Sequence, residues 1–196
     1  MGKNESVSSY WMDRLSDEDL IKKIGLGDRL AIDVLFRRHH IRLYRFVLRL
    51  TNNEAVAEDI VSDVFFYVWQ NADRFEARST VSTWMFAIAR FKALSLRREH
   101  QHKELGSEEA LIEDPADNPE RVVQKLDKSE TIDLCLKMLS VIHREVIDLV
   151  YYHEKSIEEV GEILCIPVNT VKSRMFHARK RLSELLLSAG MDRGWP

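Results

Sequence analysis

The sequence predicts an all-α protein of two small helical domains joined by a flexible linker. Three observations carry that expectation. Apolar residues recur at helical spacing through long segments, with almost no alternating runs of the kind that mark strands. Breakers are scarce, since the 196 residues include 7 glycines and 4 prolines and every proline lies beyond residue 114. Between two periodic regions, the stretch 101–118 loses its periodicity and carries Asp114-Pro115-Ala116-Asp117-Asn118-Pro119, a linker composition.

Taken in order, Ser16 ahead of Asp19 makes a capping-box-like start, and Leu20 and Ile24 share one face until Gly25 and Gly27 stop the helix. A longer helix is expected from about Asp28, with Leu30, Val34, Ile41, Tyr44 and Leu48 at helical spacing, broken by Thr51-Asn52-Asn53. The next, from about Glu54 to Gln70, should bury Ala57, Ile60, Val61, Val64, Phe65 and Val68. A loop around Arg74 to Ser79 leads into a helix with Trp84, Ile88 and Leu96 inside, completing an N-terminal bundle. Past the linker, Asn118 and Pro119 suit the cap and first turn of a new helix. Ser140 can cap a helix holding Val146, Ile147 and Val150. Ser156-Ile157-Glu158-Glu159 is a full capping box for a short helix ending near Leu164. After Cys165-Ile166-Pro167, a basic helix should run from about Val168 to Leu187, with Val171, Met175, Ala178, Leu182 and Leu185 buried.

Composition narrows the function classes. Hydrophobic residues at 45% support a core, which excludes a wholly disordered chain. No apolar run approaches the roughly 18–20 residues of a membrane span, so no membrane insertion is expected. The polar stretch Met1 to Ser9 predicts no secretory signal, and two cysteines in apolar stretches, Cys135 and Cys165, predict no disulfide framework and a cytoplasmic setting. The net charge of -3 hides segregation. Arg37, Arg38, Arg42, Arg45 and Arg49 form one acid-free basic stretch, and Lys172, Arg174, Arg179, Lys180 and Arg181 a second. Between them, from Glu104 to Glu120, lie Glu108, Glu109, Glu113, Asp114 and Asp117 with no Lys or Arg. Basic surfaces around an acidic connector permit a polyanionic partner, although the first stretch by itself reads as a solvated helix face.

A short helix, a tight turn and a longer helix make a helix-turn-helix, and Gly161 stands where its two helices must approach closely. The outer face of the second helix presents Asn169, Lys172, Ser173, Phe176, His177 and Lys180. Donors, a cation and an aromatic wedge on one face suit the reading of base edges in a major groove, with Lys172 and His177 the candidate base readers. Arg179 and Arg181 are better placed for phosphates, which position without specifying. An ordinary helical hairpin with a basic outside is the plainer alternative.

The run from Ser156 to Ser183, SIEEVGEILCIPVNTVKSRMFHARKRLS, closely resembles the promoter-reading motif of bacterial RNA polymerase sigma factors, in particular the extracytoplasmic-function (ECF) group. The stretch DEDLIKKIGLGDRLAIDVLFRRHHIRLYRFVLRLTNN, from Asp17 to Asn53, resembles the start of sigma domain two. AEDIVSDVFFYVW, from Ala57 to Trp69, and STWMFAIAR, from Ser82 to Arg90, resemble its later parts. The resemblance implies a tail at 1–14, sigma domain two at 15–100, an acidic linker at 101–118, sigma domain four at 119–188 and a tail at 189–196.

It also implies a function. Such a factor binds core RNA polymerase, directs it to specific promoters and assists their opening, and it makes no bonds itself. By resemblance, Asn169, Lys172, Ser173, Arg174, Phe176, His177 and Arg179 would lie against the upstream promoter element. The loop of about Asn71 to Thr80 would capture a base flipped from the downstream element, with Asn71 and Phe75 in the pocket beside Arg78, Ser79 and Thr80. Flipping costs a few kcal/mol of unstacking, which the pocket must offset. Glu58, Asp59, Ser62, Asp63 and Phe66 would grip the polymerase, and an anti-sigma factor is a further expected partner. Four positions depart from the family. Cys165 stands where the turn usually holds Gly, Phe91 where Asn is frequent, Val81 for a frequent Phe and Ser95 for a frequent Asp, so base capture is expected to differ in detail.

Other classes find no anchor. The histidines at His39-His40, His100, His102 and His153 lack HExxH or paired CxxC spacing, so neither a metal nor a cofactor is expected. Neither a GxxxxGK loop nor a GxSxG turn occurs, which argues against an enzyme. The serious alternative is a stand-alone helix-turn-helix regulator, which would dimerise on a palindrome.

Overall fold

The structure is a computed structural model that describes residues 12–104 and 128–191, with side chains up to 98 and from 129. The expected linker and the helix start at Asn118-Pro119 lie outside the described residues. The chain separates into two compact units, with the main division at Gly106–Ser107. Among the described residues, all regular structure is helical.

The N-terminal unit contains α1 (Asp17–Gly25), α2 (Arg29–Thr51), α3 (Glu54–Asn71), a 3-10 turn (Ala72–Arg74) and α4 (Val81–Glu104). Each start is capped as its sequence dictates. Ser16 Oγ accepts from Asp19 N at 3.1 Å, Asp28 Oδ1 from Leu30 N at 3.0 Å, and Asn53 Oδ1 from Val56 N at 3.1 Å. Asn52 takes the left-handed conformation (φ 51°) that ends α2. The helix α2 is central and packs on α1, α3 and α4, with Phe46 and Phe86 meeting at 5.1 Å in the core.

Two of the expected stripes are out of phase. In α2 the buried residues are Ala31, Val34, Leu35, His39, Leu43, Phe46 and Val47, while Leu30 and Ile41 are exposed. Three neighbours enclose this helix over a wide arc, and that arc centres on positions which a count of large aliphatic side chains passes over. In α4 the innermost residues are Val81, Thr83, Met85, Phe86, Ala89 and Ala93, with Trp84, Ile88 and Leu96 only half-buried. Small residues there let α4 approach α2 and α3 closely, which turns the larger ones aside.

The C-terminal unit contains α5 (Lys128–Lys137), α6 (Val141–Ile147), a π turn (Asp148–Tyr152), α7 (Ile157–Leu164) and α8 (Val168–Ser188). Ser140 Oγ caps α6 through His143 N at 3.4 Å. The Arg144 guanidinium donates to the carbonyls of Leu136, Lys137 and Leu139, occupying acceptors that the end of α5 leaves open. Glu145, Asp148, His153 and Lys155 are all buried. His153 Nε2 lies 3.4 Å from Asp148 Oδ2, and Lys155 Nζ lies 3.0 Å from Glu159 Oε1. His153 and Lys155 each face a carboxylate, which offsets the cost of burying polar groups.

Candidate nucleic-acid interface

The capping box of α7 closes reciprocally. Glu159 N donates to Ser156 Oγ at 3.1 Å, and Ser156 N donates to Glu159 Oε2 at 3.0 Å. The same glutamate also holds the buried Lys155, so one side chain fixes both the start of α7 and the segment leading into it. A Cβ on Gly161 would stand 3.1 Å from the Ile166 carbonyl oxygen and 3.8 Å from Val171 Cγ2. Glycine is therefore what lets the turn fold back against α7. Cys165 sits in that turn at φ 54°, a left-handed conformation that costs a non-glycine residue about 1–2 kcal/mol.

The turn places α8 with Val171, Met175, Ala178, Leu182, Leu185 and Leu186 inward. Opposite them, Asn169, Lys172, Ser173, Phe176, His177 and Lys180 are exposed, and Arg174 is half-buried. Phe176 is 65% exposed, and its ring meets that of His177 edge-on at 5.4 Å. Ser173 Oγ donates to the Thr170 carbonyl at 3.0 Å, so its hydroxyl lies close to the helix surface. Arg179 and Arg181 are exposed, and Arg181 pairs with Glu184 at 3.3 Å. Across from His177, burial, His177 and Arg174 hold the His143 imidazole below its ordinary pKa.

In the N-terminal unit, the loop after α3 is built around rings. Phe75 is half-buried with its ring 5.0 Å from that of Trp84, and Tyr67 lies 6.3 Å from Trp84 on another side. Asn71 Nδ2 donates to the Tyr67 carbonyl at 2.9 Å. Arg78 is exposed and pairs with Glu76, and Ala77 turns the chain at φ 53°. Thr80 Oγ1 accepts from Thr83 N at 3.2 Å, which gives Thr80 the role of cap for α4. The loop residues singled out in the sequence thus divide. Asn71 and Phe75 adjoin the aromatic cluster, while Arg78 and Thr80 engage Glu76 and Thr83. Trp84 and Tyr67 join the cluster unforeseen, since the contacts of Trp84 with Phe75 and with Tyr67 are not local in sequence.

The outward face of α3 carries Glu58, Asp59, Ser62, Asp63 and Phe66, all exposed. Phe66 is 60% exposed, and Tyr67 beside it 41%. Asp63 Oδ2 accepts from Lys92 Nζ of α4 at 2.9 Å, which ties the acidic face to the neighbouring helix. Part of the first basic stretch is engaged in ion pairs within the unit. Arg38 pairs with Asp17 at 2.8 Å, and Arg37 lies 3.3 Å from Asp13.

The description Sigma-70 region 2 matches residues 35–103, and Sigma-70, region 4 matches residues 129–182. The ECF RNA polymerase sigma factor SigW of Bacillus subtilis (strain 168) is 33% identical over 176 residues, spanning 85% of this chain and 94% of the relative. The chain belongs to the ECF RNA polymerase sigma factors. SigM of Mycobacterium tuberculosis, another ECF sigma factor, is 31% identical over 180 residues, spanning 90% of this chain and 89% of its own. Among solved structures, the sigma factor RpoE from Bartonella quintana, crystallised with the anti-sigma factor NepR, superposes with a TM-score of 0.61 at 32% identity, covering 78% of this chain and 94% of that one. CnrH, solved with the cytosolic domain of CnrY, shares the fold at a TM-score of 0.64 and 24% identity, covering 88% of this chain and 97% of that one.

As an ECF sigma factor the protein binds core RNA polymerase and directs it to promoters, and it is not an enzyme. The region 2 match contains α3, the aromatic loop and α4, and the region 4 match contains α7 and most of α8. Among the described residues, no helix is long and apolar enough to cross a membrane.

Proposed function

We propose that α7, the turn at Cys165 and α8 form a helix-turn-helix whose exposed face reads the upstream promoter element. The residues assigned to that element are Asn169, Lys172, Ser173, Arg174, Phe176, His177 and Arg179. The observation that carries this reading is the division of α8. An unbroken apolar stripe anchors it from Val171 to Leu186, and the opposite side is exposed and basic. The early residues of such a helix meet base edges, while cations further along meet phosphates.

In the same reading, domain two spans 15–100 and domain four 119–188. The loop of Asn71, Phe75, Arg78, Ser79 and Thr80 holds a flipped downstream base and so assists opening. The aromatic group of Phe75, Trp84 and Tyr67 supports this, because stacking on rings is what an unstacked base needs. Glu58, Asp59, Ser62, Asp63 and Phe66 dock on core polymerase. An anti-sigma factor holds the free chain, a reading supported by the complex of the sigma factor RpoE with the anti-sigma factor NepR. The protein works in the cytoplasm, where polymerase and promoter are.

Run-off transcription with purified core polymerase tests the proposal. A promoter selected by the assembled holoenzyme should give a transcript with the wild-type chain and none with core alone. Substituting Lys172 should reduce it on that promoter. A footprint by the chain alone on a symmetric site, without polymerase, would favour a stand-alone regulator instead.

A further inference from the structure

Beside the reading face, α6 and α8 enclose an open cleft of about 450 Å³. His143 forms one wall, His177, Lys180 and Arg181 the other, and Met138 and Ser140 close one end. His143 is half-buried, and the three α8 residues are exposed. Among the described residues, the one acid lining the cleft, Glu184, pairs with Arg181 at 3.3 Å. Arg174 stands one turn before His177 and acts on His143 electrostatically. On α6, the neighbouring Arg144 is turned onto the carbonyls at the end of α5, away from this charge balance. Lys137, the last residue of α5, is exposed. With the Arg181–Glu184 pair set aside, Lys180 in the cleft and Arg174 near His143 leave the surroundings positive before His143 gains a proton.

We propose that this cleft seats one phosphate of the promoter backbone, and that His143 takes up a proton as the phosphate enters. The inference rests on the helix-turn-helix reading and deepens it, assigning His177 to the backbone rather than to a base. Three things point to a phosphate. Basic side chains converge from two helices on one opening, His143 from α6 and His177, Lys180 and Arg181 from α8. The cleft continues the exposed face of α8 beyond Lys172 and Ser173, where a helix that reads bases with its first turns leaves the groove and meets the sugar–phosphate chain. Finally, His143 is discouraged from charging by burial and by cations that an anion would offset. A phosphate in the cleft offsets the burial and the neighbouring charge that discourage His143 from taking a proton. Binding is then linked to proton uptake, and affinity rises as pH falls through the histidine range.

Holoenzyme made with the full chain can be titrated with a labelled promoter duplex at constant ionic strength. Wild type should gain about three- to tenfold in affinity between about pH 8 and about pH 6, beyond any gain shown by His143→Gln holoenzyme. A second measurement needs no variant. Imidazole resonances of the wild-type chain should show His143 largely neutral at about pH 7 and protonated once duplex is added. Specific promoter binding with equal pH slopes for wild type and His143→Gln, or an imidazole unmoved by duplex, overturns the cleft proposal and leaves the promoter reading standing. Failure of wild-type holoenzyme to select any duplex overturns both. Inorganic phosphate that protonates His143 as fully as duplex does would make this a site for the free ion and overturn the backbone assignment.

Discussion

Asp17 Oδ2 on α1 lies 2.6 Å from His39 Nε2 on α2, and Arg38 holds the other oxygen of the same carboxylate at 2.8 Å. Arg38 also donates to the Asp13 carbonyl at 2.8 Å, so α1 and the residues before it are pinned to α2 through one polar junction. Burial pushes the Asp17 carboxyl up. The hydrogen bonds with His39 and Arg38 and the charge of both outweigh that and hold it below the usual carboxylate range. A depressed folded value gives stability that is fully present above the ordinary aspartate pKa. It is lost as pH falls through the folded value, below about pH 4. Asp17→Asn should therefore cost about 1–2 kcal/mol at neutral pH and flatten the acid limb of stability. Urea denaturation at neutral and acid pH checks this. Identical acid limbs in wild type and variant would assign the acid sensitivity to other carboxylates.

This junction also shows what the sequence concealed. The caps at Ser16, Ser140 and Ser156 and the buried stripe of α3 were legible because each depends on residues within a turn or two of one another. His39 was not, because a histidine in a basic stretch looks solvated until Asp17, 22 residues away, is placed beside it. The core of the C-terminal unit repeats the point. No local spacing marks Asp148, His153 and Lys155 as buried, yet the π turn folds the chain so that Asp148 meets His153 and Lys155 meets Glu159. At the candidate sites, the exposed face of α8 follows from periodicity. The tilted contact of Phe75 with Trp84 and the cleft between His143 and His177 are tertiary contacts that no local spacing announces.

Reading and positioning on α8 should separate by substitution. Lys172 is exposed in the first half of the helix, on the side opposite Val171 and Met175. Lys172→Ala should cost about 1–3 kcal/mol on the preferred site and relax one base position. Arg181 lies further along, and losing its exposed pair with Glu184 should matter little for folding. Arg181→Ala should weaken cognate and scrambled duplexes alike and lower the salt slope by about one. Binding titrations of holoenzyme over a range of salt check both. Equal losses on the two duplexes for Lys172→Ala would remove it from the base readers.

Cys165 stores strain that can be released. Its φ of 54° places Cβ against the carbonyl, and the residue is exposed in the turn between α7 and α8. Glycine removes the clash, worth about 1–2 kcal/mol, and returns part of that as unfolded-state entropy. Cys165→Gly should therefore stabilise the protein by about 0.5–1 kcal/mol, whereas Cys165→Ala keeps the strain and should gain nothing. Urea midpoints with unchanged m-values are the measurement. A glycine variant no more stable than the alanine one would show that the turn holds Cys165 without strain.

On α3 the contrast between Phe65 and Phe66 decides what the helix does. Phe65 is 6% exposed and tilts against Phe36 at 4.8 Å, so it belongs to the bundle. Phe66, one residue on, points away and is 60% exposed. It follows Asp59 by seven residues and Ser62 by four, which places its ring among polar groups on the outward face. Folding gains little from such a ring, and water makes it costly to leave uncovered, so its contribution lies in a complex. An aromatic anchor among carboxylates suits a basic partner surface, with the ring giving affinity and the acids giving orientation. Asp63 is held by Lys92, which keeps that orientation fixed before docking. Phe66→Ala should lose about 1–3 kcal/mol of core polymerase binding while Tm hardly changes. Thermal melts of the free chain, paired with core-binding titrations, separate the two effects. A variant that unfolds readily but binds core normally when folded would return Phe66 to the core of the bundle.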